Sequence, residues 1–174
     1  MSVEKKVGAC LKAVQEAWNA SMAAQGHDWR TLRNLRLIQA RPNFLQAKLT
    51  IEKEHLNKFK TLHGGVIMSL TDSMASLALT TSGLPPPTGV SVNISTEFLR
   101  PGGTEGDELV LESEVLKLGK QLATTRINFY SSESSPHGRK LLAYGSHTKA
   151  VKDAWAAAGG KLVKYSEDGE TVIE

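Results

Sequence analysis

The spacing of hydrophobic and polar residues divides the chain into helical and extended segments. From Val3 to about Ala24, apolar residues recur every three or four positions, which predicts an amphipathic N-terminal helix. Two extended runs then flank a turn at residues 41–43, and this pattern predicts a hairpin or strand pair. A mostly apolar stretch over residues 63–82 predicts a long helix, which Gly83 and the prolines after it would end.

The pattern changes after the consecutive prolines at residues 85–87. Four segments then alternate between apolar and polar residues, or run apolar with many β-branched side chains, which is typical of strands. These segments span residues 89–101, 107–119, 121–132 and 139–151. The breaks between them are short and rich in polar residues, glycine or proline, so they predict an antiparallel meander. Residues 152–174 are small, glycine-containing and acidic toward the end, and we expect an appended or mobile tail.

The order of these elements predicts an α+β domain, in which an antiparallel β-sheet wraps around the long central helix. Small residues keep that helix narrow, so a curved sheet can cover several of its sides: Ser69, Ser73, Ala75, Ser76 and Ala78. The predicted boundaries are residues 1–30 for an N-terminal helical segment, 31–151 for the main domain and 152–174 for the tail.

Length, charge and cysteine content exclude several classes of protein. The 174 residues fit one domain, and the basic residues behind a net charge of +3 are spread along the chain, which argues against nucleic acid as the main partner. The first 25 residues contain Glu4 and Glu16 and no continuous apolar core, so they predict neither a secretory signal nor a membrane span. Cys10 is the only cysteine, and no Cys/His spacing matches a structural zinc site. We expect a cytoplasmic protein without a bound metal, and a mitochondrial location stays open as the alternative.

Polar residues at the start and in the middle of the long helix predict chemistry on an acyl group. Asp72 shares a helical face with Met68 and Leu79, where an unpaired carboxylate would be unfavourable, and we expect the sheet to shield it from bulk water. Free backbone N–H groups near Gly64 are natural donors to an oxyanion, and the Asn57 amide could add another. A carboxylate could then activate water as a general base or attack the carbonyl itself.

Other residues complete the predicted site, although several also have purely structural explanations. Ser91, on the strand after the helix, could orient a water molecule by hydrogen bonding. Alternatively, Asn57 could turn the chain before the helix, and His63 could bond to the backbone at the helix start. Gly64 and Gly65 could merely permit close packing there.

The segment NKFKTLHGGVIMSLTDSMASLALTT, residues 57–81, resembles the hotdog-fold acyl-coenzyme A thioesterases of the phenylacetate-pathway type. The later runs GVSVNISTEFLRP, VLKLGKQLA and AYGSHTK share this resemblance, which covers about Trp18 to Val151. It implies a hotdog fold and hydrolysis of acyl-coenzyme A to a free acid and coenzyme A, without a metal or redox cofactor. The chain departs from the pattern at the prolines 85–87, in the longer loop 131–138 and in the C-terminal extension.

The resemblance also implies a role for each matching residue. Asn57 and the Gly64 backbone N–H would polarise the thioester carbonyl, and His63 would help to hold that arrangement. Asp72 would be the catalytic carboxylate, and Ser91 would position the water.

Charge and the family resemblance suggest further contacts with the substrate. Basic residues near strand ends could meet the phosphates of coenzyme A: Lys117, Lys120, Arg139, His147 and Lys149. Gly65 would also lie at the substrate site.

Two alternative functions stay open as rivals. The first rival is a hotdog hydratase or dehydratase, which would pair a His with an acid in a motif that the sequence lacks. The second rival is a noncatalytic acyl-coenzyme A binding protein, which loss of Asp72 or Asn57 would have favoured.

Helix geometry predicts that two copies of the chain share each active site. Gly64 and Asp72 are eight residues apart, so they lie about 12 Å apart along one helix axis. A symmetric dimer with antiparallel central helices would bring Gly64 of one copy to Asp72 of the other. The resemblance implies the same arrangement, usually within a dimer of dimers.

Overall fold

The computed structural model describes residues 7–174. In chain order, the elements are α1 (Ala9–Ala23), α2 (His27–Leu32), β1 (Arg36–Arg41), β2 (Phe44–Thr50), a short 3-10 helix (Lys53–His55), α3 (Gly64–Thr81), β3 (Val90–Phe98), β4 (Glu108–Leu118), β5 (Leu122–Ser131), β6 (Leu141–Ala150) and α4 (Lys152–Ala157). Within these residues, we find no helix with the length and apolar character that a membrane crossing requires.

The N-terminal helix and the strand pair agree with the sequence pattern. Helix α1 buries Cys10, Val14 and Trp18, which recur every four residues along the face that packs in the core. Its predicted start at Val3 lies outside the described residues. Strands β1 and β2 form the predicted antiparallel hairpin, and Asn43 adopts the left-handed conformation (φ 65°) that its turn requires. The pattern did not predict α2.

Helix α3 is the central helix. It begins after His63 and ends before Gly83, whose φ of 81° is a left-handed conformation that glycine adopts freely. Ile67, Leu70, Met74 and Leu77 of this helix are buried in the main core. The close approach of α3 to β6 depends on a glycine, because a Cβ on Gly145 of β6 would lie 2.8 Å from Thr71 Cγ2. An antiparallel sheet therefore wraps α3, with α1 packed outside, which confirms the α+β hotdog fold.

The strand order corrects one prediction. All six strands form one antiparallel sheet in the order β1-β2-β4-β5-β6-β3. The predicted meander is present from β4 to β6, but it is wrong for β3, which pairs with β6 at the sheet edge. Residues 99–107 consequently cross to the far side of the sheet instead of forming a tight turn. Hydrophobic alternation identified the strands but carried no information about their partners.

The segment after β6 is packed on the domain, which the sequence did not predict. Val151, just before α4, and Ala154 of α4 are buried with Leu79 and Ala123 in a small second core. Farther on, the Gly169 carbonyl accepts a hydrogen bond from the backbone N–H of α1 at its start. The segment is therefore an ordered extension that contacts both α1 and α3. The predicted domain boundaries stay predictions.

Candidate active site

Asp72 lies near the middle of α3, and its side chain is 52% exposed in the single chain. The expectation that the sheet shields this carboxylate is wrong. The sheet covers the side of α3 that carries Leu70 and Met74, which are fully buried, and Asp72 projects from the uncovered side. Water and substrate can therefore reach the carboxylate.

The Asp72 carboxylate lies at one end of a chain of three polar side chains. Its Oδ1 is 3.6 Å from Nδ1 of His147, which is fully buried on β6. The other ring nitrogen, Nε2, lies 2.9 Å from Oγ of Ser91 on β3. The pairing of β3 with β6 brings these residues together, so the predicted water-orienting hydroxyl is linked to the predicted base through an imidazole.

The environment of His147 favours a neutral ring. Burial lowers its pKa from 6.5 to about 4, the nearby Asp72 carboxylate opposes this change, and the positive charge of Lys149 adds to it. Nδ1 lies 3.6 Å from the Asp72 carboxylate, beyond hydrogen-bond distance, and has no hydrogen-bond partner among residues 7–174. The negative charge of Asp72 favours the tautomer with the ring proton on Nδ1, and we assign the proton to that atom. The Ser91 hydroxyl then donates to Nε2, and its oxygen is left to accept a hydrogen bond from water.

Lys149 is also buried beneath α3, at 6% exposure. Its Nζ donates to Oγ of Ser76 over 2.6 Å, and that hydroxyl donates to the Asp72 carbonyl. Burial lowers the pKa of Lys149, and the Asp72 charge opposes this effect. These positions do not fit the predicted phosphate contacts of His147 and Lys149, because neither side chain reaches the surface.

Asn57 closes a turn before α3. Its Nδ2 donates to the Thr61 hydroxyl over 2.9 Å, and its Oδ1 accepts from the backbone N–H groups of Phe59 and Thr61. The amide nitrogen carries two hydrogens, so one stays available as a donor. The side chain therefore shapes the turn, as one explanation from the sequence expects, and its role as a donor to a ligand stays a prediction.

The start of α3 offers a further donor. His63 caps the helix, because its Nδ1 accepts the Gly65 N–H over 2.8 Å. Among residues 7–174, the Gly64 N–H has no hydrogen-bond partner, so it is free for a carbonyl oxygen. A Cβ on Gly64 would lie 3.3 Å from the Phe98 ring, and one on Gly65 would lie 2.9 Å from the His63 ring. A side chain at either position would therefore press against a neighbouring ring at the helix start.

The other predicted basic residues lie at two different ends of the sheet. Lys117 and Lys120 are exposed beside the β4–β5 turn, where Trp155 of α4 donates to the Gly119 carbonyl. This turn is at the same end of β6 as Lys149, so a phosphate contact there stays a prediction.

Arg139 does not fit the same role. It lies before the start of β6, at the opposite end, where it pairs with Glu112 over 2.8 Å and stacks on Tyr130. Its guanidinium therefore already has structural partners.

The role of His147 as the link between Asp72 and Ser91 was missed by sequence reasoning. The only signal was the alternation along β6, which places His147 and Lys149 on one face of the strand. Their contact with α3 and with the distant β3 depends on strand pairing that a single sequence does not reveal. Among residues 7–174, no group of three or more His, Cys, Asp or Glu side chains could hold a metal ion.

Comparison with known proteins identifies the family. Residues 59–135 match the model of the thioesterase superfamily. Acyl-coenzyme A thioesterase 13 of Mus musculus is 34% identical over 138 residues, which cover 78% of this chain and 92% of that protein. The crystal structure of thioesterase superfamily member 2 from Mus musculus has a TM-score of 0.67 at 33% identity and covers 79% of this chain and 96% of its own. The E. coli PaaI protein, from the phenylacetic acid degradation operon, has a TM-score of 0.62 at 25% identity, over 81% of this chain and 94% of its own. The predicted resemblance is thereby confirmed, and the chain belongs to the thioesterase superfamily, a family of thioester hydrolases.

Proposed function

We propose that this protein hydrolyses acyl-coenzyme A thioesters to a free acid and coenzyme A. The observation that carries the proposal is the exposed carboxylate of Asp72, which is joined through His147 to the hydroxyl of Ser91. Hydrolysis requires an accessible base together with a group that can hold the attacking water. The relatives named for thioesterase activity support the choice of substrate class.

The proposed reaction is attack by water on the thioester carbonyl carbon. Asp72 takes a proton from the water as its oxygen bonds to that carbon, while Ser91 holds the water by hydrogen bonding. Negative charge then develops on the carbonyl oxygen, where the Gly64 N–H and the Asn57 amide stabilise it. Collapse of the intermediate breaks the carbon–sulfur bond, and the coenzyme A thiolate leaves and takes up a proton.

Asp72 acts as a general base in this proposal. The alternative is direct attack of the carboxylate on the carbonyl, which would form an anhydride that water then cleaves. The Ser91 hydroxyl supports the role of Asp72 as a base, because its free acceptor position can hold a water molecule.

We propose that each active site is built from two copies of the chain. Along α3, the free Gly64 N–H and Asp72 are separated by eight residues, or about 12 Å, so one thioester carbonyl cannot contact both within a copy. Antiparallel α3 helices from two copies would place each Asp72 opposite the Gly64 and Asn57 of the other. The exposed, uncovered side of α3 supports this arrangement.

The sheet edge supports the same dimer. Strand β3 pairs with β6 on one side only, and its open edge carries exposed apolar side chains, including Val90 at 71% and Val92 at 59% exposure. An open, apolar strand edge is a template for pairing with another chain. A second copy of β3 would cover it, and two such dimers could assemble into a dimer of dimers.

The reaction as proposed uses no metal and no redox cofactor. Its base, its water-orienting hydroxyl and its oxyanion donors are all groups of the chain, and coenzyme A enters only as part of the substrate. The cytoplasm is the proposed compartment, with the mitochondrion as the alternative, because the single cysteine, Cys10, is a buried free thiol that suits a reducing environment.

One observation gives weight to a second candidate, hydration of an unsaturated acyl thioester. The structure pairs His147 with Asp72, and a His with a nearby acid is the pair that such chemistry uses. However, His147 is fully buried and its Nε2 is bound to Ser91, so its ring cannot reach a substrate. Hydrolysis is therefore the better-supported function.

A panel of acyl-coenzyme A esters tests the proposal. Release of free thiol is measured in one assay, and loss of enoyl absorbance is measured in parallel on unsaturated esters. We expect thiol release with at least one ester. Loss of enoyl absorbance without thiol release would favour the hydratase, and saturable binding without either reaction would show a noncatalytic binding protein.

A further inference from the structure

The side chain of Phe98 lies beside the free Gly64 N–H, the backbone donor of the proposed site. Phe98 is the last residue of β3 and is 52% exposed. A Cβ on Gly64 would lie 3.3 Å from Cε1 and 3.4 Å from Cζ of Phe98, so the edge of this ring lies against the start of α3. The proposed reaction gives no role to this exposed apolar group.

The pairing of β3 holds the ring in this position. Alternation along the strand places Thr96 and Phe98 on the same face, and the Thr96 hydroxyl lies 3.2 Å from the hydroxyl of Thr71 on α3. This face therefore meets the central helix. The backbone of Phe98 also pairs with Ala143 of β6, so the position of the ring is set by the sheet and not by a loop.

A thioester carbonyl bound to the Gly64 N–H would come close to this ring. Its oxygen would lie about 2.9 Å from the nitrogen, and the carbonyl carbon would be about 1.2 Å from that oxygen. The acyl chain and the sulfur of coenzyme A are both attached to this carbon. Both groups therefore leave from a point within a few ångströms of the helix start, where the Phe98 ring can contact one of them.

The chemistry of the ring favours the acyl chain over the coenzyme A arm. A phenylalanine ring has no polar group, and its contact with an apolar chain removes apolar surface of both from water. The coenzyme A arm carries amides and phosphates, which an apolar wall leaves without hydrogen bonds. A second apolar side chain, Met68, is 36% exposed about one helical turn after Gly64, so both β3 and α3 offer apolar surface near the donor.

We propose that Phe98 is a specificity-determining residue whose ring forms one wall of the acyl site. Acyl groups long enough to cover the ring are then hydrolysed in preference to acetyl. Each methylene group that the ring removes from water corresponds to about a fourfold gain in kcat/KM. The preferred substrates are therefore esters of apolar acids with several methylene groups. This inference deepens the proposed hydrolysis and rests on it.

The kinetic experiment compares acyl groups of increasing length on the full chain. Values of kcat/KM for thiol release are measured with acetyl-, butanoyl-, hexanoyl- and octanoyl-coenzyme A. Phe98→Ala removes the ring, Phe98→Gln replaces it with a polar side chain and Phe98→Leu keeps an apolar one. Phe44→Ala is the matched control, because Phe44 is a partly buried phenylalanine on β2, which lies far from β3 in the strand order. Thermal unfolding verifies that each variant is folded, and Phe98→Gln carries the test if Phe98→Ala does not fold.

A binding experiment tests the same contact without catalysis. Calorimetry measures the Kd of S-methyl- and S-octyl-coenzyme A, two thioethers that cannot be hydrolysed. Their Kd ratio reports the contribution of the alkyl chain alone, since the coenzyme A arm is the same in both. In Phe98→Ala and Phe98→Gln, this ratio should shrink by about tenfold, as expected for loss of contact with about two methylene groups.

In the wild type, we expect kcat/KM to rise with acyl length. Phe98→Ala and Phe98→Gln should lower it by at least about tenfold for the octanoyl ester and change it by less than about twofold for the acetyl ester. Phe98→Leu should keep most of the preference, and Phe44→Ala should not alter it. An equal loss with all four esters would overturn the inference, because it would indicate support of the helix start or contact with coenzyme A. An unchanged dependence on acyl length in a folded Phe98→Ala or Phe98→Gln protein would overturn it too. Failure of the proposed function would appear separately, as wild-type protein that releases no thiol from any ester, and the Kd ratio would then decide whether the ring contacts the alkyl chain.

Discussion

The N-terminal end and the middle of α3 carry the two halves of the proposed site, and these halves are built in different ways. At the N-terminal end, the donors come from a local segment: Asn57 shapes a turn, His63 caps the helix and the Gly64 N–H is left free. In the middle of the helix, Asp72 obtains its partners from β6 and β3, which are distant in sequence. The first half is specified by neighbouring residues, whereas the second exists only once the sheet is assembled.

This difference has a consequence for catalysis. The local half supplies fixed donors to the thioester oxygen, and such donors matter only when negative charge develops there. The distant half supplies a base and the charges that tune it, so its effect depends on protonation states as well as on geometry. Substitutions in the two halves should therefore differ in the size of their effect on turnover and in its dependence on pH.

The largest effect is expected at Asp72. Asp72→Asn keeps the size of the side chain but removes the base, so kcat should fall by at least about a hundredfold while substrate binding survives. Steady-state thiol release measures the loss, and Asp153→Asn on α4 is the control for removal of an exposed acid. Near-normal hydrolysis by a folded Asp72→Asn protein would remove this residue from the mechanism.

In the turn before α3, Asn57→Ala should lower kcat by about thirtyfold, somewhat less than the usual effect of losing an oxyanion donor, because the Gly64 N–H stays in place. Since Asn57 also bonds to Thr61, the variant Thr61→Val serves as the control for the turn itself. We expect only a small effect from the control. A rise in KM alone for Asn57→Ala would instead identify a uniform binding contact.

A smaller effect is expected at Ser91. Ser91→Ala removes one hydrogen bond to the water, which corresponds to about tenfold in kcat. Ser95→Ala is the matched control on the same strand, because its hydroxyl bonds to Ser146 away from the site. Complete loss of activity in Ser91→Ala would contradict a positioning role and would point to attack by the serine itself.

The smallest effect concerns stability in acid. His147 has a folded-state pKa of about 4 against 6.5 for an ordinary histidine, so the unfolded chain binds more protons between these values. The stability that its neutral burial contributes is therefore present above about pH 6.5 and is lost as the pH falls toward 4. The free energy of unfolding, measured with urea at pH 7 and at pH 5, should fall less between these two values in His147→Gln than in the wild type. An equal loss in both proteins would show that His147 is not the group responsible.

The success of prediction from the sequence also differs between the local half and the distant half of the site. The cap at His63, the glycines after it, the ends of α3 and the β1–β2 hairpin were all predicted, because each depends on residues close together in the chain. The exposure of Asp72 was predicted wrongly, since periodicity cannot show which side of a helix a sheet leaves uncovered. The link through His147 was missed because β3 pairs with β6 and not with β4. Strand pairing is decided by packing of the whole domain.

Complementation between two strongly impaired variants tests most directly whether the two halves of the site act together across a pair of chains. Asn57→Ala and Asp72→Asn chains are unfolded, mixed in equal amounts and refolded together, and subunit exchange is verified by native mass spectrometry. With random pairing, half of the dimers are mixed, and each mixed dimer contains one intact and one doubly altered site, so roughly a quarter of all sites should regain wild-type turnover. Recovery near that fraction is the predicted result. No recovery despite verified mixed dimers would show that each site lies within one chain and would contradict the shared-site account.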